Sequence, residues 1–529
     1  MRVPLIFKVL FLCVAIAAVV PRVSFIKRTS PYPLQTDEAL IMKRAAGMVE
    51  RGDLSPHFFK YPTLPIYLTA LAFATNQAQD EEGNAVIGRV SKPFYTYPEV
   101  PESARFLFAA LSVLTVMLTG ILAVRAFREP ALLFIAPLLL LVSDRFLLQS
   151  WMYLNVDIIG AVVCLSAITT LFFTRERTNF WYRALLPGLF VGFAVGSKYY
   201  LGLVGLPFAI VLFDREQREH LTRNAIGIVL ATIVAFLVTT PYALIDRDLF
   251  LTQVIFEIDH YSEGHVGGEG EPGIEQFLYY GGQLIKEFGV GGLGLMLYGL
   301  VIMWKRDRKA AILFLAFPVV LLLFLCTQRV HFPRNLTSIY ALAPIAAGMG
   351  IVSLAGARIR TSEQAWKRLM GPLVLIAVLV FGLPWQRVWT SYSVQIDSRK
   401  LALTWVEENV ERDLKVYIAD ELQMDVSPFK LTEFEGTRIR LIEKPLSDFV
   451  VPEMNQVYAG QAVFFIVPEL VPGTRFARSF GEQMKPLEQL TTVAEFGRNQ
   501  VPRVTTRLIH MGNPRLQIFG LSTSEGDEQ

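Results

Sequence analysis

Three cysteines in 529 residues, Cys13, Cys164 and Cys326, leave little room for sulfur chemistry. All three sit inside apolar runs and none has a disulfide or metal-ligand spacing, so the polar parts of the chain are expected to fold without disulfides. Charge is scarce as well. Only 18% of residues are Asp, Glu, Lys or Arg, where a soluble domain carries about a quarter. Net charge is +3 and no dense Lys/Arg block occurs, which argues against a nucleic-acid partner. No Gly-rich phosphate loop appears in the C-terminal part. What is abundant is apolar: 53% hydrophobic and 12% aromatic, with 38 Phe, a composition suited to lipid-facing helices and interfacial belts.

The charges that exist cluster between apolar stretches long enough to cross a bilayer, which takes ~20 residues each. Such runs begin near Leu5, Ser103, Ala131, Leu154, Ala184, Leu201, Ala225, Gly289, Ala310, Leu336 and Leu369. These predict a polytopic α-helical membrane protein with about 11 transmembrane helices. The first run, Leu5 to Val20, has features of a secretory signal but is read as a retained first span. Tyr61 to Thr75 is apolar, short and interrupted by proline, and is expected at the interface or re-entering. Alternate connections carry Arg125/Arg128, Arg175/Arg177/Arg183, Arg215/Arg218/Arg223, Lys305/Arg306/Arg308/Lys309 and Arg358/Arg360/Lys367/Arg368. All fall on one side of the membrane at that span count, and the positive-inside rule makes that side cytoplasmic. The opposite side then holds the long segment from Pro21 to Glu102, the 239–286 stretch, the 327–335 loop and everything after Trp385.

From about residue 395 the composition becomes that of a soluble domain. Leu401–Asn409 has helical spacing, and Lys415–Ala419, Ile439–Ile442, Ala462–Val467, Val501–Ile509 and Leu516–Leu521 read as strands. The expected organisation is a membrane domain over 1–390 with a long first outer loop, followed by a small extracytoplasmic α/β domain over 391–529.

Chemistry-bearing side chains gather on the outer side. Gln35-Thr36-Asp37-Glu38 follows the first run, then Pro56-His57-Phe58-Phe59-Lys60-Tyr61-Pro62, then Arg105 at the start of the second. Adjacent acids at a membrane mouth are commonly only solvated charge, and it is the ordered motifs after them that single these out. Asp157 opens an apolar span; it is either held at the interface in water or paired, since an unpaired carboxylate there is expensive. Lys198-Tyr199 lies at a turn between two runs, where the lysine either snorkels to head groups or pairs with Asp157. Arg329, His331 and Arg334 share one short loop, a cluster fit for phosphate or for lipid head groups. His260 and His265 are metal-ligand candidates without the i, i+4 spacing of strong zinc helices, and a divalent metal is compatible with the sequence but not required by it. The Asn335-Leu336-Thr337 sequon abuts an apolar run and is read as chance.

Taken in order, Asp37-Glu38, Pro56-His57 with Tyr61-Pro62, Arg105, Asp157, Lys198-Tyr199, Thr240-Pro241-Tyr242 and Phe332-Pro333-Arg334-Asn335 resemble glycosyltransferase family 39 and its relatives. That family comprises GT-C fold enzymes and includes protein O-mannosyltransferases and lipid A aminoarabinose transferases. The resemblance spans roughly residues 30 to 345. It implies an inverting transferase that moves a sugar from a polyprenyl-phosphate carrier to a hydroxyl on a protein, lipid or glycan, outside a bacterial or archaeal cell membrane. It implies Asp37 as general base with Glu38 beside it, and Asp157 with Lys198 near the donor phosphate. It further implies Arg334, Arg329, His331 and Arg105 as phosphate-holding groups, with His57, Tyr61 and Tyr199 lining the pocket. One departure is plain: the aminoarabinose branch has a metal-binding Glu before its Lys-Pro, whereas this chain has Lys60 before Tyr61-Pro62.

The chemistry is consistent with so few groups. A sugar on a lipid phosphate already carries its leaving group, so one base and fixed cations suffice. The rival reading is a transporter or flippase of a lipid-linked or anionic substrate. Against it, few charges fall at midplane and no inverted repeat of broken helices is visible.

Overall fold

The computed structural model describes residues 3–30, 32, 36–75, 99–143, 146, 154–177, 179–213, 220–264, 268–359, 397–410, 415–419, 422, 440–444, 463–468, 491–496 and 516–521. Two compact units emerge. The first comprises Met1–Val23, Asp53–Leu71 and Phe106–Thr390; the second comprises Ser24–Gly52, Ala72–Arg105 and Ser391–Gln529. Of the first outer segment, Asp53–Leu71 belongs to the first unit, and Ser24–Gly52 and Ala72–Arg105 belong to the second.

The helices run in the order α1 Leu5–Thr29, α2 Thr36–Arg51, α3 Leu64–Thr75, α4 Glu99–Phe127, α5 Leu132–Leu141, α6 Val156–Thr174, α7 Leu186–Ser197, α8 Gly205–Leu212, α9 Leu221–Thr239, α10 Tyr242–Ile245, α11 Arg247–Glu263, α12 Ile274–Arg306, α13 Arg308–Cys326, α14 Thr337–Ile359 and α15 Ser398–Asn409. Among the described residues seven helical stretches are long and apolar enough to cross a membrane: those of α1, α4, α6, α9, α12 and α13, and Pro333–Ala355, which takes in most of α14. Each of the first ten predicted runs is helical, several as shorter pieces; the Leu369 run lies outside the described residues. The Tyr61–Thr75 stretch becomes the twelve-residue α3.

Helices cannot rely on a hydrophobic drive to pair inside lipid, so they approach through small residues. Gly188, Gly192 and Gly196 repeat every four residues along α7 and face α9. A methyl group at Gly192 would collide with the Thr232 carbonyl oxygen and the Ala235 side chain. The same device joins α12 to α14, where Gly299 lies against Ala346 and Gly350 against Leu295. On the outside, α9 presents Ile226, Val229, Leu230, Ile233, Val234 and Val238, and α1 presents Leu5, Val9, Leu12 and Ile16. Continuous exposed apolar faces of this kind suit lipid contact.

The second unit is built on a five-stranded sheet of order β2-β1-β3-β5-β4. The strands are β1 Lys415–Ala419, β2 Arg440–Lys444, β3 Val463–Pro468, β4 Thr491–Phe496 and β5 Leu516–Leu521. β1 pairs in parallel with β2 and β3, while β5 runs antiparallel to β3 and β4. Ala402 and Val406 of α15 bury with Val416, Ile418, Phe465, Val467, Leu516 and Ile518, and Tyr32 of the first segment belongs to the same core. Asp397 caps α15 through the Arg399 N–H (3.0 Å) and forms a fully buried ion pair with the Arg399 guanidinium, which stacks 4.9 Å over Tyr32. The small α/β domain is as expected. β4 is an addition to the predicted strands, and the predicted Val501–Ile509 strand lies outside the described residues.

Candidate active site

Residue 157 owes its place to a helix cap. Asn155, in extended conformation, accepts the Ile158 N–H at 2.9 Å and starts α6, so Asp157 falls in the first turn, where the helix dipole favours negative charge. Gly160, one turn on, leaves room for Leu201. Lys198 is placed by a break: α7 ends at Ser197, residue 198 is extended (φ −158°, ψ 124°), and the chain then winds as a 3-10 turn over Tyr199–Val204. The two charges meet at 2.7 Å between Lys198 Nζ and Asp157 Oδ1, with side chains 11% and 4% exposed. Of the two readings of each residue that the sequence left open, the paired one is realised.

The pair does not stand alone. Lys198 Nζ also donates to Asn335 Oδ1 at 3.1 Å, and the Tyr200 hydroxyl donates to the same oxygen at 3.2 Å. Asn335 Nδ2 donates in turn to the Tyr280 hydroxyl of α12 at 3.2 Å. Asn335 sits in a short 3-10 turn, Pro333–Leu336, directly after Arg334. Tyr200 packs edge-on to Tyr261 of α11 (ring centroids 6.3 Å) and against Phe324 (5.5 Å). Burial pulls the Lys198 ammonium down most strongly of any single cause, but Asp157, Tyr200 and Tyr261 together outweigh it and hold the lysine well above its usual range, against opposition from the like charge of Arg334. Burial pushes the Tyr261 phenol up, with Lys198 and Arg334 drawing it partly back. The result is a buried cation held by carboxylate, amide and phenol, with a second cation at Arg334 acting on the same groups.

The rest of the Arg/His loop is divided in purpose. Arg329 is exposed and forms an ion pair with Glu271 at 2.9 Å. Its backbone carbonyl accepts the Gly270 N–H (3.0 Å) and the Gln276 amide (2.7 Å), so residues 329–331 pair with 268–270 as a small hairpin-like contact. His331 stacks flat on Tyr279 (3.7 Å, 11°) and faces Gln276 Oε1 through Nδ1 at 3.1 Å. Burial lowers its pKa below the usual 6.5, only partly offset by Glu275 and Glu269.

Residues 53–63 lie in the same unit and are tied down at several points. The Phe59 N–H donates to Gln253 (2.6 Å), the Phe59 carbonyl accepts the Tyr199 hydroxyl (2.7 Å), and Thr63 donates to the Thr239 carbonyl (2.5 Å). Lys60 lies 3.7 Å over the Phe256 ring. Tyr61 packs edge-on to Phe58 (5.6 Å). His57 adopts a left-handed φ of 46°, uncommon outside glycine, and pairs with Asp53 at 2.8 Å on the surface.

In the second unit, Asp37 and Glu38 form the first turn of α2, again at the positive end of a helix dipole. Glu38 is fully buried and bonds Arg105 at 2.8 Å. Arg105, itself 3% exposed, spends its other donors on the Tyr32 carbonyl (2.6 Å) and the Ser30 hydroxyl (3.3 Å). Asp37, next to Glu38 in the chain, is half-buried. Of the metal candidates, His260 stacks on Phe256 (6.2 Å), and His265 lies outside the described residues. Among the described residues no group of three His, Cys, Asp or Glu side chains is arranged to hold a metal ion.

No protein-family model matches the chain and no curated protein is detectably similar in sequence. Solved structures are similar in fold. ArnT from Cupriavidus metallidurans in the apo state superposes with a TM-score of 0.53 at 13% identity, covering 97% of both chains. The same protein bound to undecaprenyl phosphate gives 0.53 at 12% identity over 99% of both. The archaeal oligosaccharyltransferase AglB from Archaeoglobus fulgidus, in complex with an inhibitory peptide and a dolichol-phosphate, gives 0.50 at 13% identity, covering 97% of this chain and 77% of that one. The chain is thus an integral membrane protein of the GT-C fold.

Proposed function

We propose that this protein is an inverting glycosyltransferase that moves a sugar from a polyprenyl-phosphate carrier to a hydroxyl acceptor on the extracytoplasmic face of the membrane. The observation that carries the reading is the Lys198 cluster: a desolvated cation, fixed by Asp157 and Asn335, with Arg334 acting on the same groups. Preorganised cations in a low-dielectric setting serve a reaction whose developing charge is a departing phosphate. A lipid phosphate as leaving group is also supported by the fold, because a relative of the same fold is solved with undecaprenyl phosphate and another with a dolichol-phosphate.

In the proposed reaction an acceptor hydroxyl gives its proton to a carboxylate base as its oxygen bonds the anomeric carbon. The bond from that carbon to the phosphate oxygen breaks, and the phosphate leaves towards Lys198 and Arg334. A positioned base contributes ~10²–10⁴-fold to such a step. Asp37 takes the role on the order of the sequence motifs and on its half-buried place at a helix N-terminus. Glu38 and Arg105 neutralise each other out of water, and their role in this reading is to hold the first turn of α2 rather than to touch donor. Arg329, already paired with Glu271, guides phosphate from the rim; His331, Tyr199, His57 and Tyr61 shape the walls. The orientation follows from the one-sided Lys/Arg connections, and the C-terminal α/β domain supports the acceptor side.

The test is binding of undecaprenyl phosphate to the purified chain in nanodiscs, with undecaprenol as the uncharged control. Saturable binding of the phosphate alone, weakened about tenfold or more in Lys198→Met and Arg334→Gln through the loss of a charge-assisted contact, is expected. Equal uptake of undecaprenol and undecaprenyl phosphate would overturn the assignment.

A further inference from the structure

Lys198 reaches the cluster from the α7 break, whereas Arg334 comes from the loop before α14, more than a hundred residues later in the chain. One residue touches both sources. Asn335 follows Arg334 in the same 3-10 turn, and its side-chain oxygen holds Lys198 Nζ. The same oxygen takes the Tyr200 hydroxyl, and the amide nitrogen is anchored to Tyr280 on α12. Three of the four hydrogen-bonding positions of the amide are filled, and the residue is 3% exposed. Asn335 carries no charge, so it leaves the cationic balance of the site unchanged while fixing where one cation points.

We propose that Asn335 is a positioning residue that sets the direction of the Lys198 ammonium and its spacing from Arg334, so that both cations meet the same phosphate. The part concerning phosphate rests on the transferase reading above; the part concerning Lys198 does not. Leucine at 335 keeps the bulk and removes the acceptor, which leaves Lys198 with Asp157 and Tyr200 and frees its amine more often. Aspartate keeps the acceptor and adds charge, which grips the ammonium harder but repels phosphate.

These opposite effects separate positioning from packing. Amine labelling of Lys198 by a small reductive-methylation reagent, read by mass spectrometry against exposed Lys305 as internal reference, requires no donor. In the intact protein, Asn335→Leu is expected to raise the Lys198 labelling rate several-fold and Asn335→Asp to lower it. Undecaprenyl phosphate binding should fall in both variants, by about tenfold in Asn335→Leu for the loss of one hydrogen bond to a charged group, and in Asn335→Asp through repulsion by the added negative charge. Labelling that shifts in the same direction in both variants, or in neither, overturns the inference, because a merely structural asparagine would loosen the site in either variant. Should Asn335→Leu fail to fold, slower labelling in Asn335→Asp still supports the proposal and unchanged or faster labelling still overturns it. Opposed labelling shifts in the two variants, with a parent protein that binds no undecaprenyl phosphate, would defeat the transferase reading and leave the grip on Lys198 standing.

Discussion

Replacing Asp157 with asparagine keeps the shape of the side chain and removes one charge from a buried pair. At 2.7 Å the gross attraction between the charges is about 6 kcal/mol at an effective dielectric of about 20. Most of that is offset by the desolvation of two groups that are 4% and 11% exposed, so a neutral pair in their place is expected to be nearly as stable. A single change is different, because it leaves a buried charge without its partner, at about 3–5 kcal/mol. Asp157→Asn and Lys198→Met should each destabilise by that order. The double variant should lose less than the sum of the two, with a coupling energy of about 2 kcal/mol or more. Asparagine also gives up the favourable interaction of a carboxylate with the α6 dipole, about 0.3–1 kcal/mol, and this appears equally in the single and double variants. The assay is reversible chemical unfolding in mixed micelles, followed by far-UV circular dichroism for all four proteins. Additivity within about 0.5 kcal/mol would refute the reasoning, since it would mean that the two groups do not share a buried interaction.

Further outcomes follow from other parts of the molecule. Gly192→Leu should destabilise the protein in detergent by about 1–3 kcal/mol or prevent its folding, because α7 lies against the backbone of α9 at that glycine; an unchanged melting midpoint contradicts the close approach. His331 is held below its usual pKa by burial, so the unfolded chain takes up its proton first as pH falls. Its contribution is therefore complete above the ordinary histidine range and is lost as pH drops through that range towards the lower folded value. His331→Gln should flatten the acid side of the stability profile, and a profile of unchanged slope counts against the assignment. Arg105→Leu removes the guanidinium from buried Glu38, and hydrogen exchange should rise in the first turns of α2; protection equal to the parent would show that the pair does not hold that helix.

Much of this was legible before any coordinates. Counting apolar runs located the membrane helices because a bilayer demands length, and length is visible in sequence. The pairing of Asp157 with Lys198 was one of two readings left open, since an acid opening an apolar span needs a partner or water. Other features needed the third dimension. Glu38 and Arg105 are 67 residues apart and nothing local declares them partners; the same arginine reads equally well as a phosphate ligand until its burial is known. Asn335 reads as part of a chance sequon, whereas its amide is the junction of the Lys198 cluster. Two further signals lie in the sequence. Gly188, Gly192 and Gly196 form a small-residue row that marks a helix contact. The 36–51 segment carries acids in its first turn and Ile41, Met42, Ala45, Ala46 and Met48 at helical spacing, which is the pattern of α2. β4, rich in threonine and only partly buried, lacks the alternating apolar pattern that marks a strand.

Release of free polyprenyl phosphate reports transfer from a lipid phosphate with Asp37 as base. The parent and Asp37→Asn proteins would each be incubated with polyprenyl-phosphate sugars bearing labelled hexoses or pentoses and an extract of candidate acceptors. The expected result is release of carrier phosphate with transfer of label by the parent, falling by about 10²-fold or more in Asp37→Asn while donor binding is retained. Equal turnover by the two proteins would remove Asp37 from the base role, and passage of intact donor across sealed vesicles without release of phosphate would contradict a transferase altogether.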